Sequence, residues 1–289
     1  MIDKKVIGIK REEIFSPNHV ANDSAIIGNV ALLLRDKGLN VEFPDEKEFT
    51  QTDRDICGIF SMSRNQSVLK KIKSYEDMGI PAVNSAYGVE NCFRANMTRK
   101  LIDAEVPYPA GAIVSADEDA SDAFRKVGEK NFWIKRGDFH AIHKEDVCFA
   151  HSIDEGNMIL KEFGKRGIEN VVISEHLYGD VIKFYAVRET GFFYWLYPHD
   201  VNHVKFDYCE TDSKSEYFSF SENNLKQIAD KAATVLGVDV YGGDAIISAS
   251  GDIKIIDLND WPSFAPCRDV AAVHIADHIY NAIVKKQTQ

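Results

Sequence analysis

Asp244-Ala245-Ile246-Ile247-Ser248-Ala249-Ser250-Gly251-Asp252-Ile253-Lys254-Ile255-Ile256-Asp257-Leu258-Asn259-Asp260-Trp261-Pro262 is the stretch on which the fold turns. Two β-rich runs, 244–248 and 253–258, flank the turn composition Ala249-Ser250-Gly251-Asp252. A two-residue loop at Ser250-Gly251 predicts a hairpin in which Asp244 lies directly opposite Asp257. Asn259, two residues further on, then points to the same face. Opposed side chains have Cβ atoms about 5 Å apart, and like charges there repel. A divalent cation with oxygen ligands at about 2.1 Å would relieve that repulsion, and magnesium would fill its remaining positions with water and phosphate oxygens. The same residues equally suit a hairpin whose terminal acids face water, with Asn259 starting a turn before Pro262.

Upstream, Lys135 ends the apolar run Phe132-Trp133-Ile134, and Lys183 sits inside Val181-Ile182-Lys183-Phe184-Tyr185. A lysine within a strand usually occupies a wet face. Two of them ahead of a carboxylate pair are also what a triphosphate would require as point charges.

The first ninety residues alternate in type. Strand-like runs at 5–9, 40–43, 56–60 and 81–84 are separated by helical spacing at 22–35 and through Val68, Ile72 and Tyr75. That order predicts a small open parallel sheet flanked by helices, with ligands beyond the strands' carboxyl ends, at 16–19, 61–64 and Asn84. A helix is expected over 89–104, ended by Pro107 and Pro109. Strands are then expected at 132–135, 171–174, 180–188 and 192–197. Helices are expected at 120–127, 154–163 and 222–236, and a last one at 270–285. The later two-thirds therefore read as α+β with antiparallel hairpins.

Composition narrows the function. Of 289 residues, 34 are Lys or Arg and 45 are Asp or Glu, a formal net charge of −11. Phosphate backbones repel such a surface unless a basic stripe offsets it, so no nucleic-acid partner is expected. The apolar stretch 25–34 is interrupted by Gly28 and Asn29 and is about half of what spans a bilayer. The start, 1–10, is too short a run for a signal-peptide core, so no membrane partner is expected either. Five scattered cysteines (Cys57, Cys92, Cys148, Cys209, Cys267) with no Cys-x-x-Cys pair read as reduced thiols in a cytoplasmic protein.

Taken in order, these parts resemble the ATP-grasp superfamily, of the glutathione synthetase type. Residues 84–109, from Asn84-Ser85-Ala86-Tyr87-Gly88 through Arg94 to Val106-Pro107-Tyr108-Pro109, look like the family's leading helix and the proline element after it. Phe132-Trp133-Ile134-Lys135 resembles the strand whose lysine contacts nucleotide phosphates. Val171-Val172-Ile173-Ser174-Glu175-His176-Leu177-Tyr178-Gly179-Asp180 is similar to the hinge whose backbone pairs with adenine and whose acid holds the ribose. Lys183 matches the basic residue of the following strand, and Asp244, Asp257 and Asn259 match the metal-binding acid, acid and asparagine. Five motifs in the right order make coincidence a poor explanation.

The resemblance implies a small N-terminal parallel α/β domain (pre-ATP-grasp, 1–88) followed by a two-subdomain ATP-grasp fold. Its central subdomain would span 89–178 and its C-terminal subdomain, with the metal site, 179–289. ATP would be held by Arg94, Lys135, Glu175, His176, Leu177, Asp180 and Lys183, and magnesium, or manganese in its place, by Asp244, Asp257 and Asn259. The implied activity is that of a ligase joining a small carboxylic acid to an amine or thiol through an acylphosphate, with Lys183 and Arg268 as catalytic residues. An arginine suits a substrate carboxylate through a bidentate pair. Arg268 is favoured for that place over Arg188, Arg64, Ser263, His19, His199 and His203. A homodimer is allowed.

Two departures shape the alternatives. The segment after Lys135 holds one glycine, Gly137, where the family has a glycine-rich loop. Arg136, His140 and Lys144 are the donors at hand there, and a non-catalytic nucleotide-binding module is the reading this supports. Aspartate at both metal positions also occurs in inositol-polyphosphate kinases of this fold, which supports a small-molecule kinase. A lowered-pKa thiol at Cys267, beside Arg268, is weighed against simple packing.

Overall fold

β-branched residues set the first sheet. Lys5–Ile9 (β1), Asn40–Glu42 (β2), Ile56–Ser61 (β3) and Ala82–Val83 (β4) pair in the order β2-β1-β3-β4, every pair parallel. The chain is described by a computed structural model over residues 5–139, 143–201 and 215–287. The helices Val20–Asp36 (α1), Glu46–Gln51 (α2) and Gln66–Asp77 (α3) alternate with these strands. All six residues of β3 are buried, as a parallel strand covered on both faces requires. The strand order reverses between β1 and β3, so their carboxyl ends open a crevice.

The helix expected over 89–104 is broken in two, Ala86–Asn91 (α4) and Arg94–Asp103 (α5). Phe93 takes an extended conformation, φ −63° and ψ 134°, so helical pairing restarts at Arg94. The second sheet contains Gly111–Ser115 (β5), Phe132–Arg136 (β6), Val147–Ala150 (β7) and Asn170–Glu175 (β8), antiparallel in the order β5-β8-β6-β7. Ser121–Val127 (α6) and Ile153–Lys165 (α7) cover one face, burying Phe132 and Ile134. Strands β5 and β7 are unexpected from the sequence. Both are half-solvated edges, where the period-two signal is weak.

The third sheet is built from Asp180–Val187 (β9), Phe193–Leu196 (β10), Val240–Ile247 (β11) and Ile253–Asp260 (β12), antiparallel in the order β10-β9-β11-β12. Ile182, Phe184 and Ala186 pack with Glu222–Leu236 (α8) and with Met97 and Leu101 of α5. Tyr185 and Val187, on the other face, share a core with α1 and with Arg268–Gln287 (α9). The last helix therefore ties the third sheet to the first. No helix among the described residues is long and apolar enough to cross a membrane.

The β11–β12 hairpin departs from the expected two-residue loop. Ile247 pairs with Ile253, and beyond it the Ser248 N–H donates to the Asp252 carbonyl at 2.9 Å, leaving the three-residue loop Ala249-Ser250-Gly251. Gly251 sits at φ +83° and closes a turn in which its N–H donates to the Ser248 carbonyl at 2.9 Å. Ala245 pairs with Ile255, yet Asp244 pairs with Asp257, because Ile256 is bulged out of the ladder. The extra residue restores the opposition of the two aspartates.

Candidate active site

Three side chains stand in one row across the third sheet. Lys183 on β9 pairs with Asp244 on β11, which pairs in turn with Asp257 on β12. Lys183 Nζ lies 2.9 Å from Asp244 Oδ1. Burial works to lower the Lys183 pKa, but the Asp244 carboxylate outweighs it and the net shift is upward. The neighbouring row is Tyr185, Gly242 and Asn259. Asn259 Nδ2 makes a long contact of 3.4 Å to Asp257 Oδ2. Gly243 explains how the bulge fits, since a Cβ there would lie 2.2 Å from the Asp257 carbonyl oxygen.

The facing wall supplies two more cations. Phe132 and Ile134 of β6 point into the second sheet's core, so Trp133 and Lys135 point the other way, into the cleft. Lys135 is lowered from 10.5 to about 8, first by burial and then by the Arg94 charge, against the opposing pull of Asp257 and Asp244. Arg94, in the first turn of α5, is 5% exposed, and its Nη1 lies 3.7 Å from Asp257 Oδ1. The structure thus brings Arg94, Lys135, Lys183, Asp244, Asp257 and Asn259 together. Three cations face two carboxylates and an amide.

Among the described residues no three His, Cys, Asp or Glu side chains cluster as a metal set. The donors on offer are two adjacent carboxylates and one amide oxygen, all hard oxygen ligands. That chemistry fits magnesium or manganese with phosphate and water completing the shell, and does not fit zinc.

At the hinge, Glu175 ends β8 and His176 and Leu177 follow it, where the chain passes from the second sheet to the third. The Glu175 N–H donates to the Ala110 carbonyl at 2.9 Å and the His176 N–H to that of Asn131 at 3.2 Å. The Glu175 carboxylate takes Lys254 Nζ at 2.7 Å, linking the two sheets. His176 accepts Trp133 Nε1–H on Nδ1 at 3.1 Å, and burial lowers its pKa. Asp180 is buried, and alternation along β9 turns it away from Lys183. Its carboxylate accepts the N–H groups of Glu216 and Phe218 at 2.7 and 2.8 Å.

The segment after Lys135 is strapped down at both ends. The Gly137 N–H donates to the Asn170 carbonyl, and its own carbonyl accepts the Ala95 N–H, each at 2.8 Å. The His143 N–H donates to Asp146 Oδ2 at 2.9 Å. Phe139 stacks on Phe93 and Phe15 with centroids 4.6 and 5.6 Å apart. Arg136, one of the three donors at hand in this segment, is forked onto Asp138 at 2.6 and 3.1 Å. Lys144 is exposed, and His140 lies outside the described residues.

At the far end of the cleft the candidate arginines separate. Arg268 begins α9, and its Nη2 donates to Asn22 Oδ1 at 2.6 Å. Arg188, just past the end of β9, is paired with Asp239 at 2.7 Å, and alternation from Lys183 turns it to the other face of the sheet. Arg64 is forked onto buried Asp260, Nη2 to Oδ1 2.8 Å, and is likewise committed. Cys267 is no activated thiol, because burial pushes it up to about 12. Ser263 is half-buried, and His19 precedes the first residue of α1. His203 and the His199 side chain lie outside the described residues.

Tyr185 was not singled out from the sequence. It lies on the cleft face two residues past Lys183, so strand alternation from that lysine was the available signal. Glu46 and Glu12, beyond β2 and β1, carried no such signal. Burial raises Glu46 from 4.5 to about 7, although Ser63 Oγ donates to it at 2.5 Å.

No protein-family model matches the sequence, and no curated protein does. Solved structures match over nearly its whole length. The D-alanine–D-alanine ligase of Bacillus anthracis complexed with ATP superposes with a TM-score of 0.71 at 12% identity, covering 99% of each chain. The D-alanyl-alanine synthetase A of Vibrio cholerae O1 biovar eltor str. N16961 gives 0.70 at 11% identity over 100% of both. A RimK domain ATP-grasp protein of Sphaerobacter thermophilus DSM 20745 gives 0.67 at 14% identity, covering 96% of this chain and 99% of that one. One parallel sheet, two facing antiparallel sheets and this full-length likeness give the chain the ATP-grasp fold.

Proposed function

We propose that the protein is an ATP- and magnesium-dependent ligase that joins a small carboxylic acid to an amine or a thiol through an acylphosphate. The observation that carries this reading is the Lys183–Asp244–Asp257 row with Asn259 beside it, facing Lys135 and Arg94 across the cleft. The structural neighbours include ligases, one of them complexed with ATP, which supports the same class.

Asp244, Asp257 and Asn259 would hold the divalent ion, which would supply neutralisation of the phosphate charge when bound. Phosphate oxygens compete with the carboxylates for Lys183 and Arg94, so nucleotide binding frees the two aspartates for the metal. Lys135, Lys183 and Arg94 then offset the charge that spreads over the transferring phosphoryl group. A substrate carboxylate oxygen attacks the terminal phosphorus, the bond to the bridging oxygen breaks, and ADP leaves with that electron pair. Arg268, whose side chain is held by neutral Asn22, is the arginine proposed to orient that carboxylate. The amine attacks the acyl carbon, the acyl–oxygen bond breaks, phosphate departs, and the amine's proton passes to solvent. Leu177 and its hinge neighbours would receive the adenine, with the Trp133 and Phe149 rings as an aromatic wall.

A second reading, a small-molecule kinase, is favoured by aspartate at both metal positions. Incubation with ATP, magnesium and pools of acids and amines separates the two. Phosphate release that requires both an acid and an amine supports the ligase. ADP with a phosphorylated product and no free phosphate indicates the kinase. Tight nucleotide binding without turnover rejects both.

A further inference from the structure

The end of β12 is held from behind. Asp257 and Asn259 turn into the cleft, and alternation turns Asp260 the opposite way, where it is fully buried. Its carboxylate receives the Arg64 guanidinium as a fork, Nη2 to Oδ1 at 2.8 Å and Nε to Oδ1 and Oδ2 at 3.1 and 3.3 Å. Arg11 holds the backbone: its Nη2 donates to the carbonyls of Asp260 and Trp261 at 3.2 and 2.9 Å. The same guanidinium donates to the Met62 carbonyl at 3.1 Å and to Asp23 Oδ2 at 3.0 Å. One arginine therefore joins the ends of β1 and β3, the first turn of α1 and the end of the metal strand. Immediately beyond, Trp261 sits at φ +41°, a left-handed conformation that a bulky residue keeps only where its surroundings impose it.

Removing water from two guanidinium and two carboxylate groups is costly. An apolar cluster of equal volume would hold the N-terminal unit to the third sheet at least as firmly. What an ionic fork adds is a fixed distance and direction. The two cleft-facing residues just before Asp260 need both, because metal ligands tolerate displacements of only about 0.2 Å.

We propose that Asp260, held by Arg64 and Arg11, is a positioning residue that sets the Asp257 carboxylate and the Asn259 amide for the divalent ion, making the N-terminal unit part of the metal site's support. The inference rests on the nucleotide and metal site proposed above.

The test uses the full chain. Mn2+ is titrated in the presence of ATP and the bound ion read by electron paramagnetic resonance, while ATP binding in EDTA is read separately by calorimetry. Arg64→Lys keeps the charge and loses the fork. It is expected to raise the Mn2+ concentration at half-saturation about tenfold and to leave ATP affinity in EDTA within about twofold of the parent. Asp260→Asn should do at least as much, and where it fails to fold Arg64→Lys decides alone. A lowered thermal midpoint with unchanged Mn2+ binding, or equal loss of both affinities, overturns the positioning role. A parent protein that binds ATP no better with Mn2+ than in EDTA overturns the site reading itself, and the positioning role with it.

Discussion

Asp244 stands directly opposite Asp257 on adjacent strands, with Lys183 Nζ 2.9 Å from Asp244 and Arg94 Nη1 3.7 Å from Asp257. Each carboxylate thus has a cation of its own, and the pair faces the cleft together. Asp257→Asn removes a proposed metal ligand and also relieves the repulsion between neighbours. It is expected to lower turnover by about 100-fold or more, and the thermal midpoint should not rise, because that relief is set against a buried Arg94 left without its counter-charge. A rate assay beside a melting curve checks both.

Lys183→Met tests the row from its other end. Without Lys183, Asp244 keeps its charge and loses its partner, and the phosphates lose one of three cations. The ATP concentration needed for half-maximal rate should rise, together with the metal requirement. A variant with the parent's ATP dependence would remove this lysine from the mechanism.

The bulge at Ile256 brings the Asp257 carbonyl so close to Gly243 that a methyl group has no room, at 2.2 Å. Gly243→Ala must push β12 aside. A loss of about 1–3 kcal/mol is expected, as for other overpacked sites, and metal-dependent nucleotide binding should weaken with it. Denaturant titration and calorimetry would register these separately.

Lys135 loses its proton in the free protein at about 8, against an ordinary 10.5. Nucleotide phosphates favour the charged form, so binding above that pH takes up a proton. ATP affinity should fall as pH rises through about 8 and beyond, by up to tenfold per unit until the bound-state pKa is reached. Calorimetry at pH 8.5 in buffers of different ionisation enthalpy measures the uptake. Lys135→Met should abolish it.

Glu46 shows the opposite sign. Its carboxyl is raised to about 7 in the fold from 4.5, so the folded state favours the protonated form and stability falls as pH rises from 4.5 through 7. Glu46→Gln keeps that neutral form. It should raise the thermal midpoint over the parent at pH 8, and the gain should vanish near pH 4. A gain independent of pH would exclude this carboxyl as the cause.

Much of the site was legible because it lies on strands. Period two puts Lys183, Asp244, Asp257 and Asn259 on one face once the strands are assigned, and the apolar runs around them assign the strands. The hairpin's loop length was misjudged, and the aspartate pairing survived only because the Ile256 bulge compensates for it. A bulge leaves no mark in apolar periodicity. The broken helix at Phe93 and the edge strands β5 and β7 escaped for a similar reason. Each is settled by tertiary contact, such as the Phe93–Phe139 stack and pairing to β8 and β6. The fates of Arg64, Arg188 and Arg136 depended on which acid each one meets. Asp260 and Asp239 are 196 and 51 positions away from theirs, beyond any local pattern.

The central claim is that a divalent ion and ATP phosphates meet between Asp244, Asp257 and Asn259 on one wall and Lys135 and Arg94 on the other. A crystal structure with Mn2+ and a non-hydrolysable ATP analogue, with manganese located by its anomalous scattering, tests it most directly. The account predicts an anomalous peak about 2.1 Å from oxygens of Asp244, Asp257 and Asn259, with the phosphates against Lys135. A manganese peak elsewhere, or phosphates bound away from this row, would contradict it.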